Sequence, residues 1–211
     1  LAIEAGPAAL GSNCFLEHVH YNLDGHRRLA IILSRFVQEQ VLKRQWNVAS
    51  IPADSKIDEL LGLLPEDRLS GLSYALKVMN VFPMTKTFDV NVHRDTIAAK
   101  IRQEFGLLEM DQQQVFANLS LDDMAGRLAA ALGDHFHDQR QFTRELFYRR
   151  CDQIRRPWDA DVAFCLTRCL TESIEHRSEA IETCRRALQL NPRHASAGKL
   201  WTQLHAESPH Q

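Results

Sequence analysis

From His26 onward apolar residues fall at helical spacing, and that period bounds what the chain can fold into. Leu29, Ile32, Leu33, Phe36, Val37 and Val41 lie on one face of a 3.6-residue helix. Asn22 to Gly25 punctuates the chain before it, with Asn22 or Asp24 as the expected N-cap. The same period returns after each break. Pro52 and Asp54-Ser55 precede a short helix carrying Ile57, Leu60 and Leu61, and Pro65-Glu66-Asp67 opens another with Leu69, Leu72, Leu76 and Met79 on one side. Pro83 is expected to end it. Asp95 begins a further helix through Ile97, Ile101 and Phe105. Ser120-Leu121-Asp122-Asp123 has the form of a capping box, and the helical pattern runs from there to about Arg156, with Gly133 as its break and Pro157 as its stop. Trp158 to about Glu207 reads as three more helices. Strand character is confined to Thr85–Asn91 and to Cys14–Tyr21, the latter equally readable as an extended turn. The fold class expected is mainly α.

Composition agrees and narrows the class. Only 9 Gly and 7 Pro occur in 211 residues, with 45% hydrophobic and 25% charged, which excludes a disordered tail, a collagen-like fibre and a disulfide-dense mini-protein. The 25 Lys and Arg against 27 Asp and Glu give a net charge of −2, so no basic excess favours nucleic acid or an anionic membrane. The longest apolar stretch, Leu29 to Leu33, falls far short of the roughly 20 residues a membrane helix needs. Of the five cysteines, Cys165 and Cys169 share a helix face with parallel Cβ vectors, poorly placed for a disulfide, and Cys14, Cys151 and Cys184 are scattered. Buried reduced thiols are the expectation. The chain begins with Leu1 and no signal sequence follows, so a fragment of a longer polypeptide is expected.

Near the C-terminus a spaced motif stands out. Ala180-Ile181, Cys184, Ala187-Leu188 and Asn191-Pro192 place small residues where two helices would approach closely, and a Pro where the second must stop. This stretch resembles the second helix and closing turn of a tetratricopeptide repeat. Phe164 and Leu166 would lie on the repeat's first helix, although Thr167 and Arg168 stand where Leu and Gly are usual. Ala195, Ala197, Trp201 and Leu204 would open a following helix. A repeat and a half is less than a free-standing stack needs, so either repeats continue beyond Gln211 or the pair packs on the helices before it. A plain helical hairpin with Ala in its contact is the simpler alternative.

The densest group of reactive side chains is Phe15-Leu16-Glu17-His18-Val19-His20-Tyr21-Asn22-Leu23-Asp24-Gly25-His26. A carboxylate three residues before a His, on a loop entering a helix, orients the imidazole through one nitrogen and leaves the other to take a proton from a hydroxyl nucleophile. Glu17 and His20 have that spacing. The string resembles the last conserved block of the SGNH (GDSL-like) hydrolase superfamily. It is also similar to bacterial chains that fuse such a domain to tetratricopeptide repeats: Phe15 to His20, Gly25-His26 and Leu29-Ala30 match position by position, with Glu17 where the family has Asp. The resemblance implies Glu17 as orienter and His20 as general base, acting on an ester substrate in the parent protein. The superfamily's nucleophile sits in a Gly-Asp-Ser block that this chain lacks, and Ser12 has no strand-to-helix setting to expose it. These residues would then hold only the tail of a catalytic domain, inactive alone.

Other readings stay open. Behind the hydrolase reading, Glu17 and His20 are also readable as ordinary loop residues or, with His18 and His26, as a partial metal set of which only some side chains converge. His135 and His137 diverge on a helix and read as a solvated face; Cys165, Cys169 and His176 lack a fourth zinc ligand. The run Arg140, Arg144, Arg149, Arg150, Arg155 and Arg156, interleaved with Phe142, Phe147 and Tyr148, would either meet an acidic partner or phosphate or complement a helix dipole. No P-loop or dinucleotide-binding Gly motif is present in the sequence, and neither a cofactor nor a metal is expected. The expected organisation is thus 1–48, the remnant of an α/β SGNH-type domain; 49–157, a helical region of unknown type; and 158–207, a tetratricopeptide-like hairpin. The function implied is the tail of an ester hydrolase with a helical extension, the alternative being a helical module that binds a peptide or protein partner without catalysis.

Overall fold

The computed structural model describes residues 22–64, 66–81 and 90–206, and among these every regular element is helical. The described residues fall in two units, the first within Leu1–Lys56 and Pro65–Glu109, the second within Ile57–Leu64 and Met110–Gln211.

In the first unit α1 spans Leu23–Phe36 and runs on into one wider turn, Val37–Val41. Asn22 is its N-cap, its side-chain oxygen accepting from the Gly25 N–H at 2.8 Å. The helix therefore begins at Leu23, and Gly25 is a buried residue of its first turn rather than part of a preceding loop. Its apolar stripe is not core: Leu33, Phe36, Val37 and Val41 are all exposed. The stretch expected as a connection ends earlier than Lys56: after a short 3-10 turn at Val48–Ser50, α2 (Asp54–Leu61) begins at Asp54, and its residues from Ile57 on belong to the second unit. α3 (Asp67–Met79) and α4 (Val90–Leu107) form the core of the first unit. Ala75, Met79 and Ile97 are buried there, with Leu72, Leu76, Val90 and Ile101 against them. α3 stops at Met79, ahead of Pro83, which lies outside the described residues along with most of the Thr85–Asn91 stretch. Val90 and Asn91, expected to be extended, are the first residues of α4, which starts well before Asp95.

The second unit holds α5 (Met110–Asn118), α6 (Leu121–Asp138), α7 (Phe142–Arg155), α8 (Ala160–Leu170), α9 (Arg177–Leu190) and α10 (Ala195–Ala206). Pro157 stops α7 as expected. The break between α6 and α7 falls at Gln139–Gln141 instead of Gly133. The Gln141 N–H reaches the Phe136 carbonyl and the Arg140 N–H the His137 carbonyl, both at 2.9 Å, with Arg140 at φ +57°. That is a Schellman cap with Arg where Gly is preferred. Gly133 stays helical for a different reason: a Cβ there would sit 3.1 Å from the Arg149 guanidinium, so glycine opens the path for that side chain. Gly62, after α2, needs its own residue type doubly. Its φ is +63°, and a Cβ would lie 2.9 Å from the Cys151 carbonyl oxygen.

The last three helices form a hairpin and a half on α7. Asp159 caps α8 by accepting from the Asp161 and Val162 N–H groups. Leu146 of α7, Leu166, Cys169 and Leu170 of α8 and Ala180 of α9 make one buried cluster, with Phe142 packed against it. The pair thus rests on the preceding helix. No disulfide occurs among the described residues: Cys151, Cys169 and Cys184 are buried free thiols and Cys165 is half-buried.

Candidate functional site

Glu17, His18 and His20, like Ser12 and Cys14, lie outside the described residues. Of that block, Gly25, His26, Leu29 and Ala30 are seen on α1, with His26 exposed. Two other arrangements in the second unit carry chemistry or contact.

The first gathers at the α6–α7 turn. Glu145, in the first turn of α7, has a side chain only 1% exposed. A carboxylate taken from water must be paired. One oxygen, Oε2, meets His137 Nδ1 at 3.1 Å, and the other accepts from Arg149 Nε at 3.4 Å. Arg149 is itself 2% exposed and donates through Nη2 to Asp134 at 2.7 Å. Burial opposes the Arg149 charge, yet the hydrogen bond and charge of Asp134, with Glu145 adding, hold its pKa above the ordinary value. Glu172, just past α8, brings Oε1 to 3.8 Å from the same His137 nitrogen. His137 is 34% exposed and Glu172 45%. The His137, Glu145 and Glu172 ligand atoms all lie within 4.8 Å of one another. A cleft of about 410 Å³ opens beside them, lined by His137, Asp138, Arg140 and Glu172.

His135 and His137 do diverge as expected, His135 turning to Gln139 at 3.0 Å. His137, however, is no solvated bystander. Nothing in the sequence singled out Glu145 or Glu172, because the turn that brings 137 and 145 together rests on a left-handed Arg. Cys169 of α8 stands next to these acids without joining them. Burial first, then the Glu145 and Glu172 charges, push its thiol up to about 12.

The arginine run is an internal brace. Arg144 pairs with Asp111 at 3.2 Å, Arg150 with Glu179 at 2.7 Å and Arg156 with Asp152 at 2.7 Å. Arg155 donates to the Gly62 carbonyl at 2.8 Å. These bonds tie α5, α7, α9 and the end of α2, which leaves little of the run for an outside phosphate.

The second arrangement is the contact of α8, α9 and α10. Ala163, Ala187 and Ala197 are fully buried together, with Phe164 and Leu188 beside them, and Cys184 Sγ contacts the Ala197 carbonyl at 3.4 Å. Pro192 sits in the turn, where Asn191 accepts from the Arg193 N–H at 3.1 Å. His194 then fastens α10 to α8. Its Nδ1 accepts from the Ala197 N–H at 3.2 Å, so the proton is on Nε2, which faces Asp161 at 3.0 Å. No helix among the described residues is long and apolar enough to cross a membrane. Comparison of the whole chain with protein-family models, with curated proteins and with solved structures returns no match.

Proposed function

We propose that the chain is the C-terminal part of an SGNH-type ester hydrolase whose α8–α10 extension is a tetratricopeptide-like module for binding a peptide or protein. The observation that carries the module is the zero exposure of Ala163, Ala180, Cys184, Ala187 and Ala197, the small residues of three successive helices. Small side chains in that register let helix axes approach, and stacked helix pairs leave an extended face for a partner. Trp158, just before α8, and Ile174, in the turn between α8 and α9, are exposed apolar side chains of the kind partner-binding surfaces use. The module is tested by selecting peptides from an unbiased library on the purified chain and measuring affinity by fluorescence anisotropy. Saturable micromolar binding supports it; a library that yields no saturable binder overturns it.

The hydrolase half has a sequence observation behind it, the match of Phe15–His20, Gly25-His26 and Leu29-Ala30 to one block. In this reading Glu17 orients His20 and His20 is the general base for a serine supplied by residues outside this chain. A fluorophosphonate probe on the native full-length polypeptide tests it. Stoichiometric labelling of a serine supports the reading, and absence of labelling removes it.

A further inference from the structure

We infer that His137, Glu145 and Glu172 form a binding site for one divalent transition-metal ion, zinc or a chemically similar cation. The argument begins with donor geometry. Zinc takes imidazole nitrogen and carboxylate oxygen at about 2.0–2.2 Å, so donors around a tetrahedral ion stand about 3.4 Å apart. His137 Nδ1 lies 3.1 Å from Glu145 Oε2 and 3.8 Å from Glu172 Oε1, on either side of that value. The third separation is within 4.8 Å, and Glu172, the more exposed of the two carboxylates, is the arm that would close it.

The donors come from three separate places: the last turn of α6, the first turn of α7 and the residue pair after α8. Two of them are fixed before any ion arrives. Glu145 is buried and its second oxygen is held by Arg149, which Asp134 holds in turn. That is how outer partners orient a ligating carboxylate. The His137 carbonyl closes the cap at Arg140, which sets the His137 backbone relative to α7. Glu172 is the adjustable arm.

Charge and access point the same way. Glu172 and Glu145 bring two carboxylates to one imidazole, and Arg149 offsets the charge of Glu145 on its far oxygen only, so the side facing His137 stays anionic and suits a cation. The cleft of about 410 Å³ reaches His137 and Glu172 from solvent, giving the ion an entry path and a water its fourth position. An imidazole with two carboxylates suits zinc, manganese or iron(II) over the alkaline-earth ions, which take oxygen alone.

The test uses the full chain stripped with a chelator, titrated with Zn²⁺ by calorimetry and with Co²⁺ by visible absorption. One equivalent of each is expected to bind, with Zn²⁺ raising the unfolding midpoint. Glu172→Gln keeps the carbon skeleton at a half-exposed position, so the metal-free midpoint should stay put while affinity falls at least tenfold. His137→Gln should remove the tetrahedral cobalt absorption. The inference is overturned if no ion binds at 100-fold excess, or if both variants bind as the parent does, which would place the ion on other histidines and leave His137–Glu145 a structural hydrogen bond.

Discussion

Replacing Arg149 by Met probes the most costly polar arrangement in the second unit. Arg149 and Glu145 are 2% and 1% exposed, and the guanidinium supplies one of the two partners of the Glu145 carboxylate. Met keeps an unbranched stem in the space left open by Gly133 and removes only the charge and its donors. Removing one partner of a buried ion pair costs about 3–5 kcal/mol, because the other charge stays out of water. His137 still holds the second oxygen of Glu145, so the lower end applies, about 3 kcal/mol. The lost Asp134 bond adds under about 1 kcal/mol, since Asp134 is 67% exposed and returns to water. Urea unfolding followed by circular dichroism reads the change. Adding Glu145→Leu should recover most of it, as replacing a buried pair with apolar side chains is often neutral. A cost below about 1 kcal/mol for Arg149→Met, with no recovery in the double variant, would refute the claim that this pair is a buried and mutually dependent unit.

Three other substitutions or conditions separate this reading from its rivals. Arg140→Gly should stabilise the second unit by about 0.5–1 kcal/mol, because residue 140 stands at φ +57° in a Schellman cap; a loss of stability would mean the Arg side chain matters more than the backbone. Gly62→Ala should cost about 2–4 kcal/mol, the sum of a positive φ and a Cβ forced against the Cys151 carbonyl, measured by the same unfolding experiment. The Cys169 thiol should resist thiol reagents in the native chain at pH 8 and react on unfolding, with half-buried Cys165 labelling before it. Its raised pKa also fixes a sign. The thiol's contribution to stability is complete below its ordinary value near 9 and is lost as pH rises toward 12, so alkaline solution weakens the fold.

The helices were legible where the chain spelled out both period and punctuation. Asn22 and Pro157 mark boundaries by local chemistry, and the structure uses both. Val90 misleads because a β-branched residue carries only a weak strand preference, which its packing on the α3–α4 core overrides. Gly133 misled for a similar reason: glycine signals either a break or a close approach, and only the position of Arg149, sixteen residues on, decides between them. The exposed stripe of α1 shows that a helical period states which residues share a face, not what covers it. The His137–Glu145–Glu172 group was out of reach for a sharper reason. Its donors are brought together by a turn whose αL residue is Arg140, and no sequence rule assigns that conformation to arginine.

The measurement that bears most directly on the proposed function is turnover of a short-chain p-nitrophenyl ester by the native full-length polypeptide, compared with its His20→Ala variant. If His20 is the general base that Glu17 orients, turnover should fall by several orders of magnitude with little change in unfolding midpoint. Turnover that ignores the substitution, or a full-length protein that is inert from the start, would contradict the hydrolase reading and leave the helical binding module standing alone.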